Sequence, residues 1–220
     1  MQEIDTWKPL LLEAAHRLAG DDDGAHDASH LMRVWSTAEE LLRHHTEADA
    51  LVVLAAALLH DLVNLPKNHP ERNQASRMAA RQATVLLRDA GFPADKLDAV
   101  AHAIEAHSFS AAIAPRTIEA QIVQDADRLD ALGAVGLARM FYVGGQLSRA
   151  LAHPSDPLAQ SRELDDARYT LDHIELKLAQ LPQSMQTEAA RQLGFKRLEW
   201  LRAFRTEFAA QWMGEKPSPT

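Results

Sequence analysis

The chain has 220 residues, 46% hydrophobic and 25% charged, enough apolar material for a sizeable core, and its net charge of −8 disfavours nucleic acid, whose backbone is neutralised by Lys and Arg. With no cysteine, disulfides, zinc–thiolate sites and cysteine nucleophiles are excluded, so any metal must be held by imidazole and oxygen. The N-terminus lacks a signal-peptide pattern and no apolar run reaches the ~18 residues of a membrane span, so a cytoplasmic location with no membrane partner is expected.

Apolar residues recur at helical spacing throughout, and the alternating Val/Ile/Thr runs of strands are missing, so the fold class is all-α. A first helix is expected over Pro9 to Ala19, ending at the acidic turn Gly20 to Gly24. A second spans Ala28 to His44, with Leu31, Val34, Trp35, Ala38, Leu41 and Leu42 as its stripe and Asp27 or Ser29 as N-cap, which places His30 in the first turn. The third, Glu47 to Val63, is apolar on every side after Asp49 and belongs at the centre of a bundle.

At the end of that helix the doublet His60-Asp61 puts two ionisable groups where burial is expected. An unpaired carboxylate there costs several kcal/mol, so the doublet needs a cation, a hydrogen-bond network or water. A divalent metal satisfies both side chains, with His30 and the carboxylates Asp125, Asp127 and Asp130 as partners distant in sequence.

Asn64 to Asn73 is a polar loop carrying Lys67, His69 and Arg72. Helices follow over Gln74 to Ala90 and Ala94 to His107, with His102, Glu105 and His107 off the buried stripe of the latter. One helix is then expected over Thr117 to Met140, and Gly144-Gly145 with His153 to Gln160 marks a loop or boundary. Arg162 to Leu181 and Ser184 to Met213 read as a C-terminal helical hairpin, the second arm striped by Leu198, Leu201, Phe204, Phe208 and Trp212. The expected organisation is a single domain over 1–213, with a core at about 20–150, a C-terminal helical extension at about 160–213 and a flexible tail at 214–220.

His30-x-x-Arg33-Val34-Trp35, AAALLHDLVN ending the central helix, HSFS at His107, IVQDADRLDALGAVGLAR and HIELKLAQLPQSMQTEAAR together resemble the HD-domain superfamily of metal-dependent phosphohydrolases, in its small single-domain bacterial branch of nucleotide phosphohydrolases. The resemblance covers nearly the whole chain and implies an HD-domain helical bundle binding one divalent cation through His30, His60, Asp61 and Asp127. Spacing alone leaves Asp125, Asp127 and Asp130 equivalent; the resemblance selects Asp127. Mn²⁺ is the favoured ion, and Mg²⁺, Fe²⁺, Ni²⁺, Co²⁺ or Zn²⁺ also suit such ligands.

The implied activity is hydrolysis of a phosphoester or phosphoanhydride in a nucleotide-like substrate, through water activated by the metal. Where several relatives carry Glu three residues after the HD aspartate, this chain has Asn64, which accepts no proton. Either metal-bound hydroxide then needs no separate base or another carboxylate such as Asp130 serves, so Asp61 at the metal and Asp130 are the acidic catalytic candidates. Lys67 and Arg72 are candidate phosphate clamps, and His26, Asn64, His69, His107 and Arg128 are candidate substrate contacts. The rival reading is a non-catalytic HD module that binds metal and nucleotide to signal to a partner, with Asn64 as its best support. A homodimer through the C-terminal hairpin is the other partner considered.

Overall fold

The computed structural model describes residues 2–18, 28–63, 65 and 69–214. It divides into two compact units, Met1–Asp127 and Arg128–Thr220. The described residues are all-α as expected, with no strand among them and only a single bridge between Ala150 and Tyr169. None of their helices is long and apolar enough to cross a membrane.

The first unit is organised around α3 (Ala50–Leu59), in which every residue from Leu51 to Leu59 is buried. A helix without a polar face must be covered on all sides, and α1 (Gln2–Leu18), α2 (Ala28–Leu42) and α5 (Leu97–His107) pack against it. Asp49 starts α3 by accepting hydrogen bonds from the Leu51 and Val52 backbone N–H groups at 3.0 and 3.3 Å, and Lys96 pairs with its other oxygen. Asp49→Ala is expected to cost about 1 kcal/mol of unfolding free energy, read as a lower denaturant midpoint at unchanged slope.

Helix α4 (Ala75–Asp89) lies against α5 through the buried small residues Ala75, Ala79, Ala80 and Ala83. The Ser76 hydroxyl donates to the Glu105 carbonyl at 3.0 Å, which fixes the register of that pair. Tight 3₁₀ turns at Arg72–Gln74 and Ala94–Lys96 precede α4 and α5, where the sequence pattern had the helices already begun. Helix α6 (Ile118–Asp130) completes the first unit and carries its last residue, Asp127.

Three expectations need correction. Helix α1 begins at Gln2 rather than Pro9, which lies inside it. Proline suits a first turn, but Trp7 packs edge-on against Phe92 at 5.0 Å, and such packing holds the turns upstream of Pro9 helical. The expected single helix over 117–140 is two, since Leu132 is extended and Gly133, at φ +76°, begins α7 (Gly133–Gln146) in a conformation that side-chain-bearing residues avoid. Gly144-Gly145 lies in the last turn of α7, one residue before its end at Gln146, where the glycine pair marks a boundary. A Cβ at position 144 would stand 2.4 Å from the Thr170 hydroxyl, so the glycine permits a close approach.

In the second unit α7 packs on α9 (Glu188–Trp212), with the Phe141 ring 6.2 Å from Phe204 and 6.0 Å from Phe208. Arg162 to Leu181, the expected first arm of the hairpin, is not continuous helix. It holds 3₁₀ turns at Thr170–Asp172 and Leu178–Gln180 around the four-residue α8 (His173–Leu176). The cause is the Asp172 carboxylate, which turns back to accept from Arg162 and from the Asp165 N–H, drawing the backbone out of a helical ladder. The 20–24 turn and the Asp27 cap lie outside the described residues, as does the expected tail from residue 215 onward.

Candidate metal centre

The buried end of the first unit gathers side chains from four helices. His30 stands in the first turn of α2 and is 1% exposed; His60, also 1% exposed, caps α3. Asp61 follows His60, Asp127 is on α6 and His107 is the last residue of α5. Because α3 stops at Leu59, the doublet leaves the helix at the point where its ligand atoms are needed.

The imidazoles are oriented by the backbone. His60 Nδ1 donates to the Ala57 carbonyl at 2.9 Å and His107 Nδ1 donates to the Ile104 carbonyl at 2.6 Å, an i−3 contact in each case. In the neutral ring this leaves the Nε2 lone pair as the group presented to the site. Burial holds His60 below the usual histidine pKa, against the opposing pull of the Asp61 charge, so the ring is neutral, as a metal ligand must be.

Four ligand atoms then converge. His30 Nε2 lies 3.3 Å from His60 Nε2, 3.5 Å from Asp127 Oδ1 and 3.8 Å from Asp61 Oδ2. His60 Nε2 lies 3.7 Å from Asp61 Oδ2 and 3.8 Å from Asp127 Oδ1. With metal–ligand bonds of ~2.1 Å, neighbouring ligands stand ~3.0 Å apart at octahedral corners and ~3.4 Å apart at tetrahedral ones. The separations, 3.3–3.8 Å, lie within a few tenths of an ångström of the tetrahedral spacing, so the donor set fits a divalent ion. His107 Nε2 approaches the other Asp61 oxygen, Oδ1, at 3.9 Å, and His60, His107 and Asp127 form a second, overlapping donor group.

Gln124 is a contributor that the sequence reading missed. Its side-chain amide donates to the Ala106 carbonyl at 2.7 Å, tying α6 to the last turn of α5 one residue from His107 and one helical turn from Asp127. Its polarity within an otherwise apolar run, Ile122-Val123-Gln124, was the available signal. On α6 Asp125 is fully buried, whereas the Asp127 side chain, 28% exposed, reaches the imidazoles.

Arg72, a sequence-predicted clamp, lines a small cavity together with Asp61, Val63, Ala75, Ser76, His107 and Ser108, and its guanidinium donates to the Leu65 carbonyl. His69 lies beside that segment and accepts from the Glu71 N–H at 3.1 Å. His102 is occupied as an acceptor for the Arg116 N–H at 3.0 Å. In the second unit Arg128 donates to the Ser184 carbonyl at 2.8 Å, and Asp130, 5% exposed, accepts from Arg139. His26, Asn64 and Lys67 lie outside the described residues.

Residues 27–132 match the family model for the HD domain, a span that contains all five converging side chains. The Bacillus subtilis protein YpgQ is 30% identical over 207 residues, covering 92% of this chain and 89% of that protein. The chain belongs to the HD-domain superfamily. Among solved HD proteins, an HD-superfamily hydrolase from Bacillus thuringiensis superposes with a TM-score of 0.74 at 26% identity, covering 96% of this chain and 99% of that one. YpgQ in complex with ADP superposes with a TM-score of 0.71 at 29% identity, covering 93% and 97%. The present HD protein is thus a metal-dependent hydrolase at the level of its superfamily, and its His and Asp side chains form groups able to hold the ion.

Proposed function

We propose that this HD protein is a phosphohydrolase that cleaves a phosphoester or phosphoanhydride of a small nucleotide-like substrate. The observation that carries the reading is the convergence of His30, His60, Asp61 and Asp127, oriented for a divalent cation, at the edge of a cavity that also holds a guanidinium. The ADP complex of YpgQ supports a nucleotide as the ligand class. When bound, a divalent cation, Mn²⁺ in our reading, supplies Lewis acidity toward a phosphoryl oxygen and acidity to water at neutral pH.

The chain's own residues do the rest. Arg72 contributes positive charge on the cavity wall, where it opposes the charge developing on a transferring phosphoryl group. Asp61 faces His30 and His60 through Oδ2, and its Oδ1, on the His107 side, is placed to accept a hydrogen bond from an attacking water. His107, its Nδ1 committed to the backbone, offers the Nε2 lone pair to the cavity, where it can accept a hydrogen bond from a water or a substrate hydroxyl.

The test is release of phosphate and of pyrophosphate from nucleoside mono-, di- and triphosphates, with Mn²⁺ compared against Mg²⁺, Co²⁺, Ni²⁺ and Zn²⁺ and against a chelated control. Metal-dependent turnover of at least one nucleotide is expected. If no nucleotide is hydrolysed above the chelated control with any ion, the reading gives way to a non-catalytic metal- and nucleotide-binding module.

A further inference from the structure

Phe109 is 85% exposed, whereas the next most exposed large apolar side chain among the described residues, Val85, is 54% exposed. Single exposed apolar residues are ordinary, but a nearly naked phenyl ring gains nothing from folding and keeps its full hydration cost. Its position gives it a use. Phe109 comes two residues after His107 and directly after Ser108, both of which line the cavity beside Asp61.

The turn that displays it is held in shape. Ser108 is extended as it leaves α5, its hydroxyl is 3.0 Å from that of Ser110, and the Ala112 N–H closes back on the Phe109 carbonyl at 3.3 Å with Ala112 at φ +52°. A non-glycine residue in that region marks a turn constrained by its surroundings. An aromatic ring on such a turn, one residue beyond Ser108 in the lining of a cavity that Arg72 also lines, has the form of a stacking platform. Every nucleobase presents a π-face, and stacking requires no hydrogen-bond complementarity.

We propose that Phe109 stacks on the base of the nucleotide whose phosphates lie in the Arg72 and Asp61 cavity, making it a substrate-positioning residue that selects nucleotides over base-free phosphates. The proposal rests on the phosphohydrolase reading for where the phosphates lie, but its test is a binding measurement and needs no turnover.

Calorimetric titration with ADP and with inorganic pyrophosphate, both in Mn²⁺, is compared for the wild type, Phe109→Ala and Phe109→Trp. The alanine variant is expected to weaken ADP binding roughly tenfold while leaving pyrophosphate binding unchanged, and tryptophan to restore it. Unchanged ADP affinity in Phe109→Ala, or equal weakening of ADP and pyrophosphate, overturns the role of Phe109 and leaves the phosphohydrolase reading to its own assay. A wild type that binds neither ligand overturns both.

Discussion

Asp61→Ala is expected to lower bound divalent metal from about one ion per chain to near zero and to reduce turnover of any nucleotide substrate by roughly 10³-fold or more. Asp61 is the corner shared by the whole arrangement: one oxygen faces His30 and His60, and the other faces His107. Its loss removes a ligand and one of the two negative charges that make a cation favourable beside two neutral imidazoles. The fold survives, because Asp61 follows the last residue of α3 and its side chain is 23% exposed. Asp61→Asn, which keeps the shape and deletes the charge, is expected to lose metal to nearly the same extent. Elemental analysis of protein dialysed against Mn²⁺, alongside a helical circular dichroism spectrum, checks the result. Wild-type metal content in the alanine variant would remove Asp61 from the centre.

The doublet was legible in sequence because an apolar helix with no polar face ends in two ionisable residues, a local contradiction that only a partner resolves. The partners were harder to read. Asp125, Asp127 and Asp130 all sit on one helix, and hydrophobic phase alone does not decide which one meets a histidine on another element. In the structure Asp125 is sealed, Asp127 meets the imidazoles and Asp130 is paired with Arg139. The resemblance singled out Asp127; periodicity did not. The contribution of Gln124 was hidden for a different reason, since a side-chain bond to the carbonyl of Ala106, far along the chain, leaves no periodic trace. The helices were read well wherever burial follows the 3.6-residue stripe, as in α2 and α5, and poorly wherever one backbone angle intervenes, as at Gly133.

Arg162 to Leu181 departs furthest from its apolar pattern. Leu171, Ile174 and Leu178 are buried at helical spacing, as a helix would have them, yet the segment is set by a polar group that the apolar pattern ignores. Asp172 is completely buried and accepts from both terminal nitrogens of Arg162, at 2.6 and 2.8 Å, and from the Asp165 N–H at 2.8 Å. Arg162 in turn donates to the carbonyls of Asp156 and Glu163, and its guanidinium lies 4.8 Å from the Tyr169 ring centroid. The pair therefore pins several turns of irregular chain at once. Arg162→Met is expected to destabilise the protein by about 3–5 kcal/mol, because a buried carboxylate loses its counter-charge while its desolvation penalty remains. For a chain of this size that corresponds to a fall of roughly 6–20 °C in Tm. Arg162→Met combined with Asp172→Leu is expected to recover a large part of the loss, since removing both charges also removes the penalty. Thermal unfolding of the two variants beside wild type decides the matter: a single variant within about 1 kcal/mol of wild type, or a double variant no better than the single, would show that this pair does not hold the segment.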